Sequence, residues 1–229
     1  MHPRPMPCRR LGDHDVARLG VNTVYPVKTS SALDMRGLRL LAAGLLCGSA
    51  IWVGQTARAD GAFLQFDLSQ TTSNATMSIA RGPLTFGAGA VDYDGGRAYR
   101  VSATYKLPFG QDVATVKVGP SVGLVVADDA EDTVDLGLNL VAERYIPTDF
   151  GSLFLLADFD TNESAWFVLA QGTNARFGLS VELSHGESDN YAETSIALAK
   201  RLSDSPVSLR LGYRLKADEI FAGVSINTF

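Results

Sequence analysis

The chain has 229 residues, a formal net charge of −5 and two cysteines, Cys8 and Cys47. The acidic balance argues against nucleic acid as a partner. Both cysteines precede residue 60, so the remainder can form neither a disulfide nor a cysteine-ligated metal site. Residues 60–229 also lack an apolar run of roughly 18 residues, which a membrane-spanning helix would require.

The first 59 residues are expected to lie outside the fold. Residues 1–34 are rich in Pro and Arg, lack any periodicity, and are interpreted as a non-native or disordered extension. Residues 35–59 have the three-part layout of a secretory signal peptide, in which basic residues precede an apolar stretch. Ala57 and Ala59 then supply the small residues of an A-x-A cleavage site. The alternative interpretation is an uncleaved N-terminal anchor.

Residues 60–229 alternate apolar and polar side chains in segments of about ten residues. Within 99–107, for example, Tyr99, Val101 and Ala103 share one face, and Arg100 and Ser102 share the other. Ten residues is long for a strand of a soluble protein and is the length that a tilted strand needs to cross a bilayer. The pattern predicts strands near 62–69, 74–81, 84–93, 97–107, 113–126, 132–145, 150–160, 164–171, 175–184, 191–202, 206–215 and 219–228.

These segments predict an all-β fold, an antiparallel up-and-down transmembrane β-barrel of about 12 strands, with 10 or 8 as alternatives. Alternation also occurs in soluble sandwiches, where the apolar face packs inward. Long strands, tight turns, small residues on the polar faces and the export signal favour the membrane barrel. A soluble periplasmic β-barrel binding protein stays open as an alternative.

The predicted turns fall into two sets when they are counted alternately along the chain. The first set contains the turn prolines and comprises Arg81–Pro83, Pro108–Asp112, Pro147–Phe150, 172–174 and 203–206. The second set contains the densest acid, with Asp128, Asp129, Glu131 and Asp132 in one turn. In an up-and-down barrel the two sets lie at opposite ends. Tyr105, Phe109, Tyr145, Phe150 and Phe229 are expected at the end of the first set, as an aromatic girdle.

The C-terminal residue, Phe229, is interpreted as the assembly signal of an outer-membrane barrel. Such signals usually place the final Phe on the apolar face of the last strand. Here Asn227, Ser225 and Gly223 share its parity. A β-bulge near residues 227–228 would restore the expected register.

Three motifs resemble a known family. They are Pro83–Gly89 (PLTFGAG), the turn Tyr93–Gly96 (YDGG), and Leu107–Gly110 (LPFG) followed by Ala114–Val116. The chain resembles the small YfaZ-type outer-membrane proteins of Gram-negative bacteria over about 80–125. The resemblance implies a small outer-membrane barrel, and the family offers no catalytic residues to carry over.

His185 is the sole conventional acid–base residue of residues 60–229. Outer-membrane acyl hydrolases resemble one another in a His-x-Ser pair on one strand face, where the imidazole takes the hydroxyl proton. Here the next serine is Ser188, three positions on, in a segment that is expected to be a loop. A solvated polar loop is therefore the preferred interpretation, and a lipid-modifying hydrolase that uses His185 is the alternative.

No catalytic residue, cofactor or metal site is predicted. The acidic turn at 128–132 offers oxygen ligands but lacks the spacing of a calcium-binding loop. The remaining candidates are charges on the polar strand faces, which would line an enclosed lumen and would pair across it or stay hydrated. They are Arg100, Lys106, Lys117, Asp135, Glu143, Arg176, Glu182, Glu193, Arg210 and Arg214.

The sequence therefore predicts a non-enzymatic protein of the bacterial outer membrane, structural or a narrow porin-like channel with a charged lumen. Its expected surroundings are outer-membrane lipid and lipopolysaccharide. Its expected partner is the barrel insertion machinery, which would act through the C-terminal strand.

Overall fold

The computed structural model describes residues 60–110, 112–128, 131–189 and 191–229. The extension and the signal peptide expected at 1–59 lie outside the described residues. Twelve strands account for most of the described chain. In chain order they are β1 (Gly61–Leu68), β2 (Ser73–Arg81), β3 (Leu84–Tyr93), β4 (Gly96–Lys106), β5 (Thr115–Ala127), β6 (Thr133–Thr148), β7 (Gly151–Asp160), β8 (Trp166–Asn174), β9 (Leu179–Glu187), β10 (Ala192–Arg201), β11 (Val207–Arg214) and β12 (Glu219–Asn227).

The strands form one closed antiparallel barrel, which confirms the predicted all-β up-and-down fold and the count of twelve. Each strand pairs with its sequence neighbours, and β1 pairs with β12 to close the ring. Closure leaves no sheet edge exposed, so strand N–H and C=O groups are paired within the wall. Within the described residues, helix is limited to the short 3₁₀ turn Asn162–Ser164, and no helix is long and apolar enough to cross a membrane.

The strand registers fix the size of the barrel. Following the pairing once round the ring advances the register by about 14 residues, which is the shear of the barrel. Twelve strands at this shear tilt by about 40° from the axis. With strands about 4.8 Å apart, the backbone radius is about 12 Å. The interior is therefore wide enough that side chains from one wall do not fill it.

Two predicted turns are corrected by the structure. Pro147 was expected in a turn but lies in β6, paired with Ser152 of β7. It is tolerated because β5 pairs with β6 only as far as Glu143, so no partner faces the missing N–H. The turn expected at 172–174 lies instead at 175–178, because Gly172 and Asn174 continue β8 in pairing with β7. In contrast, Gly95 has a φ of 105° in the predicted β3–β4 turn, a conformation that suits glycine.

The apolar faces of the strands point outward. Along β6, Val134, Leu136, Leu138 and Leu140 are exposed, with Leu136 at 83%, whereas Asn139 between them is buried. The same division occurs on β11, where Leu209 and Leu211 are exposed. Because the wall is a single closed layer, the side of these strands that carries the buried polar side chains is the enclosed side.

Exposed aromatic side chains gather at the end of the barrel that carries the first set of turns. Tyr105 ends β4, Phe109 follows it, and Tyr145 and Phe150 flank the β6–β7 turn. Phe177, in the corrected β8–β9 turn, joins them. This end of the barrel therefore carries the girdle of aromatic residues that the sequence predicted.

The bulge proposed for the C-terminal strand is absent. β12 pairs with β1 in one constant register through Asn227, and Thr228 continues it by donating its N–H to the carbonyl of Ala62, at 2.9 Å. Phe229 therefore keeps the parity of the inward-facing Asn227. Its ring lies against Gly61 at the rim and remains 66% exposed.

Gly119 of β5 should be intolerant of a side chain. An added Cβ would lie 1.9 Å from the carbonyl oxygen of Ala103 on β4, whereas at Gly89 of β3 it would meet nothing within 4 Å. We expect Gly119→Ala to lower the free energy of unfolding by about 1–3 kcal/mol through overpacking. Urea unfolding in detergent, followed by the fluorescence of Trp166, measures this change. Gly89→Ala is the matched control, and an equal loss in both variants would contradict the packing argument.

Candidate functional site

The inner face of the barrel carries most of the buried charge. The register links inward positions from strand to strand, since directly paired residues point to the same side of a sheet. Arg210, Arg214, Glu182, Glu193 and Lys117 are all nearly buried on this face. Buried charges must be paired, and the structure groups them into separate clusters on different parts of the wall.

The first cluster centres on Arg210 of β11. Its Nε donates to Asp67 Oδ1 of β1 at 3.0 Å, and its two terminal nitrogens donate to Glu182 of β9 at 3.0 and 3.1 Å. Glu182 also accepts from Gln171 of β8, and Asp67 from Gln65. One guanidinium on β11 thus bridges two carboxylates, one on β9 and one on β1, each separated from β11 by a single intervening strand. We call this set the Arg210 cluster.

Small residues on the intervening strands make these reaches possible. Between β11 and β9, the wall presents Ala197 and Ala199 of β10, both buried. Between β11 and β1 it presents Gly223 of β12, where an added Cβ would lie 2.0 Å from Asp67 Oδ1. Arg210 therefore lies flat along the wall instead of projecting across the lumen.

The second cluster centres on Arg100 of β4. Its Nη2 lies 2.8 Å from Asp158 Oδ2, and its Nη1 lies 3.6 Å from Asp160 Oδ2, both on β7. Asn139 of β6 donates to Asp158 at 2.5 Å, and Ser121 of β5 donates to Asp160 at 2.8 Å. This set, the Arg100 cluster, covers β4 to β7.

The 3₁₀ turn after β7 folds onto the Arg100 cluster. Asn162 is buried and donates through Nδ2 to Ser121 Oγ at 3.0 Å. Its side chain lies over Gly123 and Gly137, where an added Cβ at Gly137 would come within 2.5 Å of Asn162 Oδ1. The turn therefore occupies part of the lumen at this end of the barrel.

Four further predicted residues, Lys117, Glu143, Arg214 and Glu193, are held by nearby partners. Lys117 Nζ lies 2.8 Å from Glu143 Oε1 on the adjacent strand. Arg214 pairs with Glu219 at 3.2 Å and also donates to Ser69 Oγ. Glu193 accepts from the backbone N–H groups of Lys216 and Ala217, at 2.8 and 3.0 Å, and thereby fixes the β11–β12 turn.

Two tyrosines meet across the mouth of the barrel at the end that carries the acidic turns. Tyr93 ends β3, and Tyr191 lies in the β9–β10 loop on the other side of the twelve-strand ring. Their ring centroids are 5.7 Å apart. Asp189 in the same loop donates its N–H to the carbonyl of Glu163 in the β7–β8 turn, at 3.0 Å. This tyrosine bridge therefore narrows the entrance.

The tyrosine bridge carries no charge of its own at physiological pH. Burial raises the pKa of the Tyr191 hydroxyl to about 12; the nearby Arg214 lowers it by less, and the carboxylate of Glu193 raises it slightly further.

One stretch of the inner face is apolar. Phe154 and Leu156 of β7 and Phe167 and Leu169 of β8 share inward positions in the register. They lie next to Asp158 and Gln171 in the register, so an apolar strip separates the two charged clusters on this part of the wall.

The other predicted residues take no part in the clusters. Lys106 and Asp135 lie on inward positions near the ends of β4 and β6. Arg176 was expected on a strand face, but the correction of the β8–β9 turn places it in that turn, exposed, with its guanidinium 5.6 Å from the ring centroid of Phe177. The structure also adds residues that the sequence analysis missed, namely Asp67, Asp158, Asp160, Asn162, Glu219, Tyr93 and Tyr191.

His185 lies within β9, not in a loop, because β9 extends to Glu187 and pairs with β10 along that length. It points outward, opposite Thr194, with its Nδ1 2.6 Å from Thr194 Oγ1. The carboxylate of Glu187 lies 3.8 Å from its Nε2, and the ring of Trp166 lies beside it at 5.0 Å. Ser188 is not its partner.

The acidic turn at 128–132 is only partly described, since Asp129 falls outside the described residues. Among the residues that the structure describes, no three His, Cys, Asp or Glu side chains are grouped so as to hold a metal ion.

No family model and no curated protein matches the chain. Among solved structures, the chain is similar to the KdgM porin in complex with disordered oligogalacturonate, with a TM-score of 0.44 and 12% identity, over 74% of this chain and 99% of that chain. A second solved structure, from work on the in-meso crystallization of membrane proteins, has a TM-score of 0.42 and 11% identity, over 74% of this chain and 83% of that chain. At this level of similarity neither protein informs the function of this chain.

Arg210 should be the most sensitive charge of the interior. Arg210→Met leaves Asp67 and Glu182 buried without their shared cation, and we expect it to lower the free energy of unfolding by about 3–5 kcal/mol. Arg97→Met is the control, because the Arg97–Asp92 pair is more exposed and should contribute less than about 1 kcal/mol. Denaturant titration of the folded protein in detergent measures both. Similar losses in the two variants would contradict the buried-pair argument.

Proposed function

We propose that this chain is an outer-membrane protein of a Gram-negative bacterium that forms a narrow, water-filled channel with a charged lumen. The observation that carries the proposal is the placement of the two strand faces: leucines and valines are exposed on the outer face, whereas Arg210 and Arg214 are buried on the inner face.

The outer face supports insertion into lipid. An apolar band of this extent around a soluble protein would drive association, since soluble monomers rarely expose contiguous apolar patches beyond a few hundred Å². A hydrocarbon environment instead favours that band. The soluble periplasmic binder, which requires apolar side chains inside, is therefore the less favoured alternative.

The interior supports a water path and not a solid core. Arg100 keeps 37% of its side chain exposed although it faces inward, and the buried charges form clusters along the wall. The backbone radius of about 12 Å leaves space between opposite walls. A purely structural role is the alternative if the tyrosine bridge and the 3₁₀ turn close this space.

We further propose that residues 35–59 direct export and that cleavage follows Ala59. The strand that ends near Phe229 would then be the segment that the barrel insertion machinery recognises. Under this proposal the aromatic end faces the periplasm, and the acidic turns lie outside the cell next to lipopolysaccharide.

A second candidate function is supported by the outward cluster at His185. The hydroxyl of Thr194, the imidazole of His185 and the carboxylate of Glu187 lie side by side in that order, as a base-activated nucleophile requires. Acyl transfer also needs backbone N–H donors for the oxyanion. The N–H of Thr194 instead donates to Glu193 at 2.8 Å. The channel is therefore the first proposal, and lipid hydrolysis is the second.

The channel proposal predicts that Tyr191→Ala enlarges the unitary conductance in planar bilayers, because it removes one half of the tyrosine bridge. We expect an increase of about twofold, with ion flow set by the narrowest section of the pore. Tyr145→Ala, at the opposite rim, is the control. The protein should also stay in the membrane fraction after carbonate washing. Absence of conductance steps from both the native protein and Tyr191→Ala would leave only the structural role.

The hydrolase candidate predicts that His185→Ala and Thr194→Val each abolish any phospholipid hydrolysis by the purified barrel, since base and nucleophile act as a unit. The measurement is fatty-acid release from mixed micelles. Activity that is undetectable in the native protein, or that survives in both variants, would remove this candidate.

A further inference from the structure

We propose that the channel is selective for small cations over anions. The inference rests on the proposed channel and adds the charge class of the solute. It follows from three features of the described residues, namely the charge of the acidic mouth, the pairing of the basic groups inside, and the composition of the tyrosine bridge.

The mouth that is crossed by the tyrosine bridge is strongly acidic. The turns at this end carry carboxylates at Asp94, Asp128, Glu131, Asp132, Glu163, Asp189 and Asp218, whereas Lys216 is the one basic residue of their described part. A ring of like charge around an opening raises the local concentration of the opposite ion. Cations are therefore concentrated at this entrance and anions are depleted.

The basic groups inside offer no free site for an anion at the two central clusters. Arg210 is shared by Asp67 and Glu182, and Arg100 lies against Asp158 and Asp160. Each cluster thus holds one cationic and two anionic side chains. An ion in the lumen therefore meets a net negative wall at both clusters.

The whole inner face has the same balance, because carboxylates outnumber basic groups on inward positions. Among the described residues, the inward carboxylates are Asp67, Asp135, Glu143, Asp158, Asp160, Glu182, Glu193 and Glu219, and the inward basic groups are Arg100, Lys106, Lys117, Arg201, Arg210 and Arg214.

The tyrosine bridge is compatible with cations and not with anions. The faces of aromatic rings carry negative electrostatic potential and attract cations. Tyr93 and Tyr191 present two such rings at the narrowing, 5.7 Å apart. A cation that loses part of its hydration there gains ring and carboxylate contacts, whereas an anion gains neither.

The test is the reversal potential of the full, folded protein in a planar bilayer with a potassium chloride gradient. We expect the sign of a potassium-selective pore, with a permeability ratio of potassium to chloride of about threefold or more. Conductance with a reversal potential at zero, or with the sign for chloride, overturns the cation inference and leaves the channel in place. Absence of any conductance overturns the channel and the inference together.

Two variants locate the origin of the selectivity. Asp158→Asn and Glu182→Gln each remove one of the two carboxylates around an arginine, and each should lower the permeability ratio about twofold or more. Asp204→Asn, in an exposed turn at the opposite end, is the matched control and should leave the ratio unchanged. Heat-modifiable migration verifies that each variant is folded. Unchanged ratios in both folded interior variants would overturn the role of the two clusters, and the native reversal potential decides the inference if either variant fails to fold.

Discussion

The constraint on which this structure depends is that a single closed sheet has no second layer against which to bury an apolar face. One side of every strand must therefore meet the surroundings and the other must meet the enclosed axis. Here the apolar side faces out, so the charges are enclosed and must satisfy one another. The Arg210 and Arg100 clusters do so along the wall, each with one guanidinium and two carboxylates.

Small side chains are as important as the charges in this arrangement. Arg210 reaches Glu182 over Ala197 and Ala199, and Asp67 lies over Gly223. On the opposite half of the wall, Asn162 occupies the space that Gly123 and Gly137 leave open. Placing a larger residue at these positions would push the charged groups off the wall and into the lumen. The small residues of the polar faces therefore leave the space in which the charged side chains lie against the wall.

Much of the fold could be predicted from the sequence because alternation reports both the strands and their two faces. All twelve strands occur close to their predicted positions, and the inward placement of Arg210 and Glu182 follows from the same alternation. The partners of these residues could not be read in this way. The contact between Asp67 and Arg210 depends on two strand registers, that of β1 on β12 and that of β12 on β11. The alternation of side chains along one strand does not reveal either register.

Other features were hidden for different reasons. Asp158 and Asp160 alternate with outward Ala157 and Phe159, so parity alone could have assigned them to the lumen. Tyr93 and Tyr191 could not be joined, since they are far apart in sequence and meet because a loop folds over the mouth. His185 was misplaced because its Ser-His-Gly-Glu surroundings suggest a loop, whereas pairing with β10 extends the strand through it.

The position of Asp67 has a consequence for assembly. It belongs to the first strand, and its cation belongs to the eleventh, so the two meet only after the final strand has joined the first. Until the ring closes, Asp67 therefore lacks the partner that it has in the folded barrel, Arg210. Separating β1 from β12 would break this buried ion pair, so the pair opposes opening of the barrel at the seam.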